Sequence, residues 1–514
     1  MSLALLEATA NRINLTAGQA ELVRRMATSG RRVQLALAAA GSGKTTALAT
    51  LGQAWRNSGG TVVGLAPSAV AARLLADHVG HATTLAKLAW DLHHHPRAAE
   101  NLISPDTLLI VDEAGMADTP SLAAVIGFAI HRGASVRLIG DDQQLAAVGA
   151  GGVLRDLAHA HPAVHLTEVL RFEDPAEAAA SLALRDGRPE SLGFYLDQQR
   201  IHAGSDETVL RDALNGWLTD KEAGLDTVML AGTRDQVTQL NKWARDHRLS
   251  ATDGDVEGPV AVLSDGNHAS IGDVIVTRLN DRRLSISATD WVKNGDRWTV
   301  TGVDPTGAIH AHHLHTGLRM TLPSSYVTEN VELGYAVTVH GAQGITVDTT
   351  HTVLTGTETR QQLYVAMSRG RQANHVYIQV VDGGGENSPI HPTTLRPVTA
   401  GDVLEQVLAR DGSARSVTTE TRQAVDAYTR LGLAVARYSD AVSVAVEHLH
   451  ADTARELDQH ADEVVDQLTS SPAWPTLRAH LLLLSATSTT TPTPLQLLRD
   501  AVDARELSTA HDPA

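Results

Sequence analysis

The stretch from Val33 to Thr46, VQLALAAAGSGKTT, constrains the fold of this chain more than any other. An apolar run, Val33 to Leu37, leads into small residues and glycines, and these are followed by a lysine and two threonines. Such a strand, loop and helix start are typical of a phosphate-binding P-loop, in which glycines let the backbone approach the phosphate. The loop N–H groups and the helix N-terminus supply positive potential. We therefore expect a nucleoside triphosphate site built from Gly41, Ser42, Gly43, Lys44, Thr45 and Thr46.

Two of these residues have specific expected roles. The Lys44 ammonium would reach the β- and γ-phosphates of ATP, and the Thr45 hydroxyl would ligate Mg²⁺. Ala38 stands where the P-loop pattern has its first glycine. Alanine is the mildest replacement, and Gly41 and Gly43 keep the tight end of the loop.

Two polar residues near the P-loop each allow two interpretations. Gln19 lies three residues after Thr16, as in a helix capping box, but a glutamine ahead of a P-loop can also bind adenine. Ser68 follows a predicted strand, Thr61 to Leu65, and is placed either as a plain helix N-cap or as a ligand for a nucleic-acid phosphate. The sequence leaves both questions open.

Two further apolar runs end in polar residues. TLLIVDE places Asp112 and Glu113 at the carboxyl end of a buried strand, where open α/β sheets bind ligands. Asp112 would hold Mg²⁺ through its water shell, and Glu113 would orient the attacking water. A strand from Val136 to Ile139 leads to Gln144, whose amide can respond to the γ-phosphate. Three such strands separated by helical patterns predict a doubly wound parallel sheet.

Composition limits the class of protein. At 514 residues, the chain is expected to form about three or four domains. It contains no cysteine, which excludes disulfides and cysteine-based zinc sites. The N-terminus has no basic start and only a short apolar run, and no apolar run can span a bilayer, so we expect a cytoplasmic protein without membrane insertion. The net charge of −17 argues against a surface that attracts nucleic acid everywhere, but it allows a groove with local arginines.

The order of these motifs resembles that of superfamily 1 helicases of the RecD-like type. The segments that carry the resemblance are GSGKTT, APSAVAARLL, IVDEAGM, LIGDDQQL, LTEVLRFEDP, GYAVTVHGAQGITVD and LYVAMSRGR. WVKNGDRWTV and LPSSYVTENVELGYA are similar to the helicase portion of conjugative relaxase–helicases (TraI/TrwC-like, mobility class F). The resemblance covers roughly residues 14 to 382.

The resemblance implies an ATP hydrolase, a 5′ to 3′ DNA helicase or translocase, with its nucleotide between two motor domains. It implies that Arg171 and Arg369 reach the nucleotide from the second motor domain and act only when the cleft closes. We expect Arg371 to form a surface ion pair instead. Thr338 and His340 are expected to contact single-stranded DNA, and Gly344 the nucleotide.

The family pattern also implies an α/β architecture of two RecA-like doubly wound parallel-sheet motor domains, a small SH3-like β-barrel insert and a helical C-terminal region. The expected bounds are 1–165 for the first motor domain, 166–266 and 327–382 for the second, 267–326 for the insert, 383–398 for a linker and 399–514 for the helical region.

Aromatic and histidine residues of the insert invite two functional interpretations. Trp291 or Trp298 could stack on bases, although the core of a small barrel is the favoured place for both. Arg278, Arg282, Arg283, Lys293 and Arg297 could line a strand-binding face. The HAHHLH run, His310 to His315, is similar to the metal site of rolling-circle nickases, but alternating histidines on an outer strand face fit it better.

Three functions remain open. The first is the motor part of a conjugative relaxase–helicase without its nickase half, with a nickase or other conjugation proteins as partners. The nickase half of that family uses tyrosines near its N-terminus, and the first tyrosine here is Tyr195. The second is a repair helicase. The third is an ATP-switched DNA-binding adaptor, which gains weight because the sequence shows no clear hairpin to serve as a strand-splitting pin.

Overall fold

The computed structural model describes residues 14–145, 151–251, 258–287, 290–380, 398–449, 451–471, 473–487 and 492–503. Contacts within the chain divide it into two units, Met1–Ser416 and Val417–Ala514. The expected linker at 383–398 lies outside the described residues except for its last position. None of the described helices combines the length and the apolar character needed to cross a membrane.

The first sheet is built from six parallel strands of the N-terminal part of the chain. They are β1 (Val33–Ala38), β2 (Thr61–Ala66), β3 (Ala82–Thr84), β4 (Thr107–Val111), β5 (Ser135–Gly140) and β6 (Val164–Leu166). Their spatial order is β3-β2-β4-β5-β1-β6. Because β4, β5 and β1 are neighbours, the loops at their carboxyl ends open at one edge of the sheet.

Helices cover both faces of this sheet. They are α1 (Ala17–Thr28), α2 (Lys44–Asn57), α3 (Ala69–Val79), α4 (Leu85–His94), α5 (Pro96–Leu102), α6 (Thr119–His131) and α7 (Val153–Ala160). Alternate residues of a strand enter opposite cores: Ala36 packs with α1 and α2, whereas Leu35 and Leu37 pack with α4 and α6. Burial on both faces explains why the strands read as continuous apolar runs.

A second group of elements follows. It comprises α8 (Pro175–Arg185), α9 (Ser191–Asp197), β7 (Ile201–Gly204), α10 (Asp206–Glu222), β8 (Thr227–Ala231) and α11 (Arg234–Ser250). Thr233 and Gln236 form a capping box at the start of α11, which satisfies N–H groups that the helix leaves free.

The insert is all-β apart from one short helix. Its elements are β9 (Ala261–Val262), β10 (His268–Ala269), β11 (Val274–Thr277), β12 (Asp281–Ser285), β13 (Trp291–Val292), β14 (Arg297–Val303), β15 (Ile309–His313), β16 (Arg319–Leu322), α12 (Ser324–Asn330) and β17 (Val331–Leu333). Five of the strands form an antiparallel sheet in the order β16-β15-β14-β11-β17, and β9–β10 and β12–β13 form separate pairs.

Three more strands and a helix complete the second parallel sheet. They are β18 (Ala336–Thr338), β19 (Val347–Leu354), α13 (Arg360–Ala366) and β20 (Gly370–Gln379). The strand order is β18-β8-β19-β20-β7. The P-loop sheet, the second parallel sheet and the antiparallel insert agree with the predicted fold class.

The insert is fixed to the second sheet by a shared core and by one buried carboxylate. Trp298 of the insert and Met229 of β8 belong to the same apolar cluster. Asp273, which is fully buried, accepts hydrogen bonds from Arg245 and Arg248 of α11 at 3.1 and 2.9 Å and from the Tyr335 hydroxyl at 2.6 Å. These hydrogen bonds satisfy the buried carboxylate and fix the insert to α11.

Helix α14 (Ala400–Ala409) packs on the second sheet through Leu404, Val407 and Leu408. The second unit is helical: α15 (Val417–Val425), α16 (Ala427–Leu449), α17 (Ala451–Val464), α18 (Trp474–Thr487) and α19 (Pro494–Asp503). Its core contains Leu457, Trp474, Leu482 and Leu498. The expected helical character of the C-terminal region is confirmed for the described residues.

Candidate nucleotide site

The P-loop joins β1 to α2 and has the backbone that its glycines predict. Gly41 and Gly43 adopt φ of +75° and +72°, and a Cβ on either would collide with Arg171 or Gln19. Ala38 is the last residue of β1 and is fully buried, so its position requires only extended backbone. The alanine at the first position of the pattern is therefore compatible with the loop.

The structure shows one of the two roles proposed for Gln19, the capping box, and adds a contact with the P-loop. Its Oε1 accepts a hydrogen bond from Thr16 N–H at 3.0 Å, which completes the capping box of α1. Its Nε2 donates to the Gly43 carbonyl at 3.1 Å, so the same side chain contacts the P-loop. Adenine binding by Gln19 stays a prediction.

The loop fits a triphosphate. The Ser42 hydroxyl is buried and finds no hydrogen-bond partner among the described residues. Thr45 is partly buried and Thr46 exposed at the start of α2, a helix of 14 residues whose N-terminal N–H groups face the loop. A buried free hydroxyl, the two glycine positions and the helix N-terminus suit an anion with several oxygens.

Lys44, Asp112 and Glu113 meet at the carboxyl ends of β1 and β4. The Lys44 ammonium lies 2.5 Å from Glu113 Oε1 and 3.4 Å from Asp112 Oδ1. Asp112 Oδ1 also accepts a hydrogen bond from Glu113 N–H at 2.8 Å. Glu113 has a left-handed backbone, with φ of +51°, which is costly for a side chain with a Cβ and is found mainly at functional sites.

The three charges shift one another's pKa. Burial opposes the charged form of Lys44, but Asp112 and Glu113 raise its pKa above the ordinary value. Burial raises the pKa of Asp112. Burial also opposes ionisation of Glu113, yet Lys44, with Arg369 and Arg171, holds the pKa of Glu113 below its usual range.

Both predicted arginines reach this charge cluster. Arg369 follows α13, is almost fully buried, and donates to the Val365 carbonyl at 2.9 Å and the Ser368 hydroxyl at 2.8 Å. Arg171 lies on the segment between β6 and α8 and donates to the Ser368 carbonyl. The two guanidinium groups therefore converge on one turn beside Glu113. Their catalytic roles stay predictions.

Tyr364 links the two halves of the site. The sequence motifs include this residue but did not predict a role for it. Its hydroxyl accepts a hydrogen bond from P-loop Ala40 N–H at 2.9 Å and donates to Asp141 Oδ2 at 3.1 Å. Asp141 also accepts from Arg185 Nε at 2.9 Å. Burial raises the pKa of Tyr364 well above its ordinary value, so its hydroxyl stays protonated. Its position in the LYVAMSRGR motif could have suggested a functional role, but only the fold shows its hydrogen-bond partners.

Gln144 and Gly344 both lie where the two sheets meet. Gln144 Oε1 accepts a hydrogen bond from Gln343 Nε2 at 3.3 Å, so this amide contacts the second half directly. Gly344 and Thr45 line one cavity of about 700 Å³ between α3, the insert and the second sheet. Arg73, Lys221 and Arg297 are among the other residues that line this cavity.

The three residues predicted to contact DNA lie at the carboxyl ends of parallel strands or just beyond them. Ser68 follows β2, is exposed, and caps α3 by accepting from Ala71 N–H at 3.1 Å. Thr338 ends β18, and its hydroxyl accepts from Gly341 N–H at 3.1 Å. His340 is exposed, and partial desolvation lowers the pKa of its ring. The structural role of Ser68 is confirmed, and DNA contact by all three stays a prediction.

The structure of the insert shows which of its aromatic and basic residues lie in the core and which are open to a ligand. Trp298 is fully buried in the core, as favoured, but Trp291 is only half-buried, with Lys293 and Arg282 over its ring. Lys293 is buried and bound to Asp290, so its expected place on an open strand-binding face is wrong. Asp290 pairs with the Lys293 ammonium, which would otherwise be an unpaired buried charge.

Histidines of the insert follow the strand alternation. On β15, His310 and His312 are partly exposed, whereas His313 packs against Trp298 and Asp296 in the interior. No group of three or more potential metal ligands was found in the described part of the chain. The prediction for Arg371 is confirmed, since this half-exposed arginine lies 2.5 Å from Asp348.

Comparison with protein families gives two matches. Residues 14–206 match an AAA domain family, and residues 261–332 match the Rv2311 SH3-like barrel domain. Protein Rv2311 of Mycobacterium tuberculosis, which is uncharacterized, is 41% identical over 97 residues, covering 19% of this chain and 56% of that protein.

Longer relatives match about two thirds of the chain. The conjugal transfer protein TraA of Rhizobium radiobacter is 29% identical over 355 residues, 67% of this chain. This chain spans only 31% of the length of that relative. The ATP-dependent RecD2 DNA helicase of Deinococcus radiodurans is 30% identical over 384 residues, 70% of this chain and 48% of that protein.

Among solved structures, that of two Pif1 helicases at forked double-stranded DNA superposes with a TM-score of 0.48 and 17% identity, over 71% of this chain and 92% of that one. The order of the motifs and the TraA, RecD2 and AAA-domain matches indicate the family of this chain. By these relations the chain belongs to the RecD-like helicases of superfamily 1 and is a relative of the conjugative relaxase–helicases.

Proposed function

We propose that this protein is an ATP-driven motor that translocates on single-stranded DNA and unwinds duplex DNA. One observation carries the proposal: Lys44, Asp112 and Glu113 of the first sheet and Arg171 and Arg369 beyond it converge on one site. A site whose charges come from both halves is complete only when the halves are together, so turnover and domain movement are coupled.

Each residue has a role that its position supports. Glu113, held ionised by Lys44, accepts a proton from the attacking water and orients it. Arg171 and Arg369 neutralise charge that develops on the transferred phosphoryl group. Thr45 and Asp112 would hold Mg²⁺, which would supply further charge neutralisation when bound.

The DNA path is proposed along the exposed polar ends of the parallel strands. Ser68, Thr338 and His340 provide donors for phosphates and sugars. Arg73, Lys221 and Arg297 line the neighbouring cavity and supply local positive charge, despite the net charge of −17. Cations in such a groove attract a polyanion that the outer surface repels.

Direction, setting and domain limits belong to the same proposal. We propose 5′ to 3′ movement, in the cytoplasm, as the motor part of a conjugative relaxase–helicase acting with a nickase. The TraA similarity supports this setting. The proposed domain limits are 1–165, 166–266 with 327–382, 267–326 and 399–514, with two differences in the structure: the strands of the insert extend from Ala261 to Leu333, and α14 packs on the second sheet.

The decisive experiment measures ATP hydrolysis with and without single-stranded DNA. We expect strong stimulation by DNA, because closure of the cleft needs both ligands. Lys44→Ala should abolish turnover, and Glu113→Gln should bind ATP but hydrolyse it slowly. Equal turnover with and without DNA would contradict a motor, and wild-type turnover of Glu113→Gln would contradict its role with the water.

A stand-alone repair helicase is a second candidate, supported by the similarity to RecD2. An ATP-switched adaptor is a third. The adaptor hypothesis depends on whether the protein has a hairpin that could split the strands of a duplex. The described strands of the first sheet are all parallel and form no such hairpin, whereas β12 and β13 of the insert form one. Unwinding of tailed duplexes separates the adaptor from both helicases, and a neighbouring gene for a tyrosine nickase favours the conjugative motor.

A further inference from the structure

A short segment after α14 crosses from one half of the first unit to the other. We call residues 410–416 the strap. It follows directly after Ala409, the end of a helix that packs on the second sheet, and it ends at the boundary of the first unit. The sequence motifs did not predict a role for the strap.

One end of the strap is bound to the second half. Arg410 donates to the Gly356 carbonyl at 3.1 Å, and its own carbonyl accepts from Arg360 N–H at 2.9 Å. Gly412 N–H donates to Gln361 Oε1 at 2.9 Å. Arg360 and Gln361 open α13, the helix that carries Tyr364 and leads to Arg369.

The other end is bound to the first half. Arg155 of α7 forms an ion pair with Asp411 at 3.3 Å and donates to the Ser413 hydroxyl. The Ser416 hydroxyl donates to Asp156. Arg155 also donates to the Asp142 carbonyl at 3.0 Å, within the GDDQQL segment. The strap therefore spans the two motor halves.

Asp411 is the residue at which the two sets of contacts meet. Its carboxylate accepts hydrogen bonds from Gln361 Nε2 at 2.6 Å and from Ser413 N–H at 3.0 Å, and lies 3.4 Å from Arg360. Burial opposes its charge, but the bonds from Ser413 and Gln361 and the charge of Arg155 lower its pKa to about 2. It is therefore ionised at neutral pH.

The strap is close to the nucleotide site through two short paths. On one side Asp142, which Arg155 contacts, follows Asp141, and Asp141 accepts from Tyr364. On the other side Gln361, which Asp411 contacts, lies three residues before Tyr364 in α13. Separation of the halves would break the Tyr364 bonds to Ala40 and Asp141 together with the Asp411 bonds to Arg155.

We propose that the strap limits opening of the nucleotide cleft, with Asp411 as a positioning residue that holds α7 and α13 together and slows nucleotide release. This inference rests on the proposed function, since it concerns the same cleft. Ionic bonds from one carboxylate to both halves resist their separation, and loss of Arg155 removes the bond to the first half while Arg360 stays beside Asp411.

The test is the dissociation rate of a fluorescent ADP analogue, measured by stopped flow in the full chain. Asp411→Ala should release the analogue several-fold faster than wild type, and Asp411→Asn, which keeps the neutral hydrogen bonds, should be intermediate. Arg155→Ala tests the same bridge from the first half and should also speed release. It serves as the independent variant where Asp411→Ala does not fold.

Asp402→Ala is the matched control. Asp402 caps α14, accepting from Thr399 N–H at 2.8 Å, so its loss weakens the same helix without touching the bridge. Release at the wild-type rate is expected for it. If Asp411→Ala and Arg155→Ala also release at that rate, the strap does not limit opening. If wild type binds no ADP analogue, the proposed nucleotide site and the strap role fall together.

Discussion

At Arg369, burial disfavours the charged guanidinium, whereas the proposed function requires that charge. Burial, and next the nearby Arg171, lowers the pKa of Arg369 to about 9, which still leaves it charged at neutral pH. A buried cation of this kind is stabilised when negative charge appears beside it. Glu113 supplies part of that charge, and a transferred phosphoryl group would supply more.

Arg369→Ala should therefore lower kcat by about 10²- to 10³-fold while leaving ATP affinity within a few-fold, because the contact strengthens in the transition state. Steady-state ATPase assays and equilibrium ATP binding measure the two effects. Arg371→Ala is the control, since Arg371 is half-exposed and paired with Asp348 at the surface. Equal kcat losses in both variants would show that Arg369 has no special role.

At the scale of elements, the second sheet holds a stack of rings on three adjacent strands. His351 of β19 stacks on His375 of β20 at 5.2 Å, and His202 of β7 stacks on Tyr377 at 4.4 Å. The Asp220 carboxylate of α10 accepts a hydrogen bond from His351 Nε2 at 2.9 Å. Burial, and then the other two histidines, lowers the pKa of His375 to about 3, and burial lowers that of His202.

These shifts make stability depend on pH. A histidine whose pKa falls on folding binds more protons in the unfolded state, so stability decreases as pH falls below the unfolded pKa of about 6.5 and continues to decrease towards the folded pKa. The unfolding temperature should thus drop between pH 7.5 and 5, and His375→Gln should reduce that drop. His131→Gln, at the exposed end of α6, should leave it unchanged. An identical drop in His375→Gln would refute the assignment.

For the whole molecule, the main electrostatic question is how a chain with a net charge of −17 binds a polyanion. Screening limits the repulsion to about 10 Å at moderate salt. Cations in one groove can then act locally. Lys221 is exposed at the cavity, with its ammonium over the rings of Trp217 and Tyr335.

DNA affinity should accordingly fall as salt rises, with a slope of about −0.7 for each single-strand phosphate contact on a log–log plot. Lys221→Gln should reduce the slope by about one such contact. Fluorescence anisotropy with a labelled oligonucleotide across a salt series measures it. Lys87→Gln is the control, because Lys87 is paired with Asp91 on α4. A response that is flat in wild type would mean that binding is not electrostatic.

The sequence by itself determined the local parts of this protein. Glycines at left-handed positions, the Thr16–Gln19 capping box and the carboxylates after β4 depend on neighbours a few residues away, so short patterns are sufficient to predict them. The order of the motifs then predicted two parallel sheets and an inserted barrel.

Only the tertiary structure decided which distant groups meet. Tyr364 binds Ala40 across 324 residues of chain, and Asp411 binds Arg155 across 256. It likewise decided that Lys293 is buried on Asp290 and that Trp298, not Trp291, fills the core. Such contacts depend on how whole elements pack, and no periodicity or spacing along the chain encodes them, because each partner alone is an ordinary polar or aromatic residue.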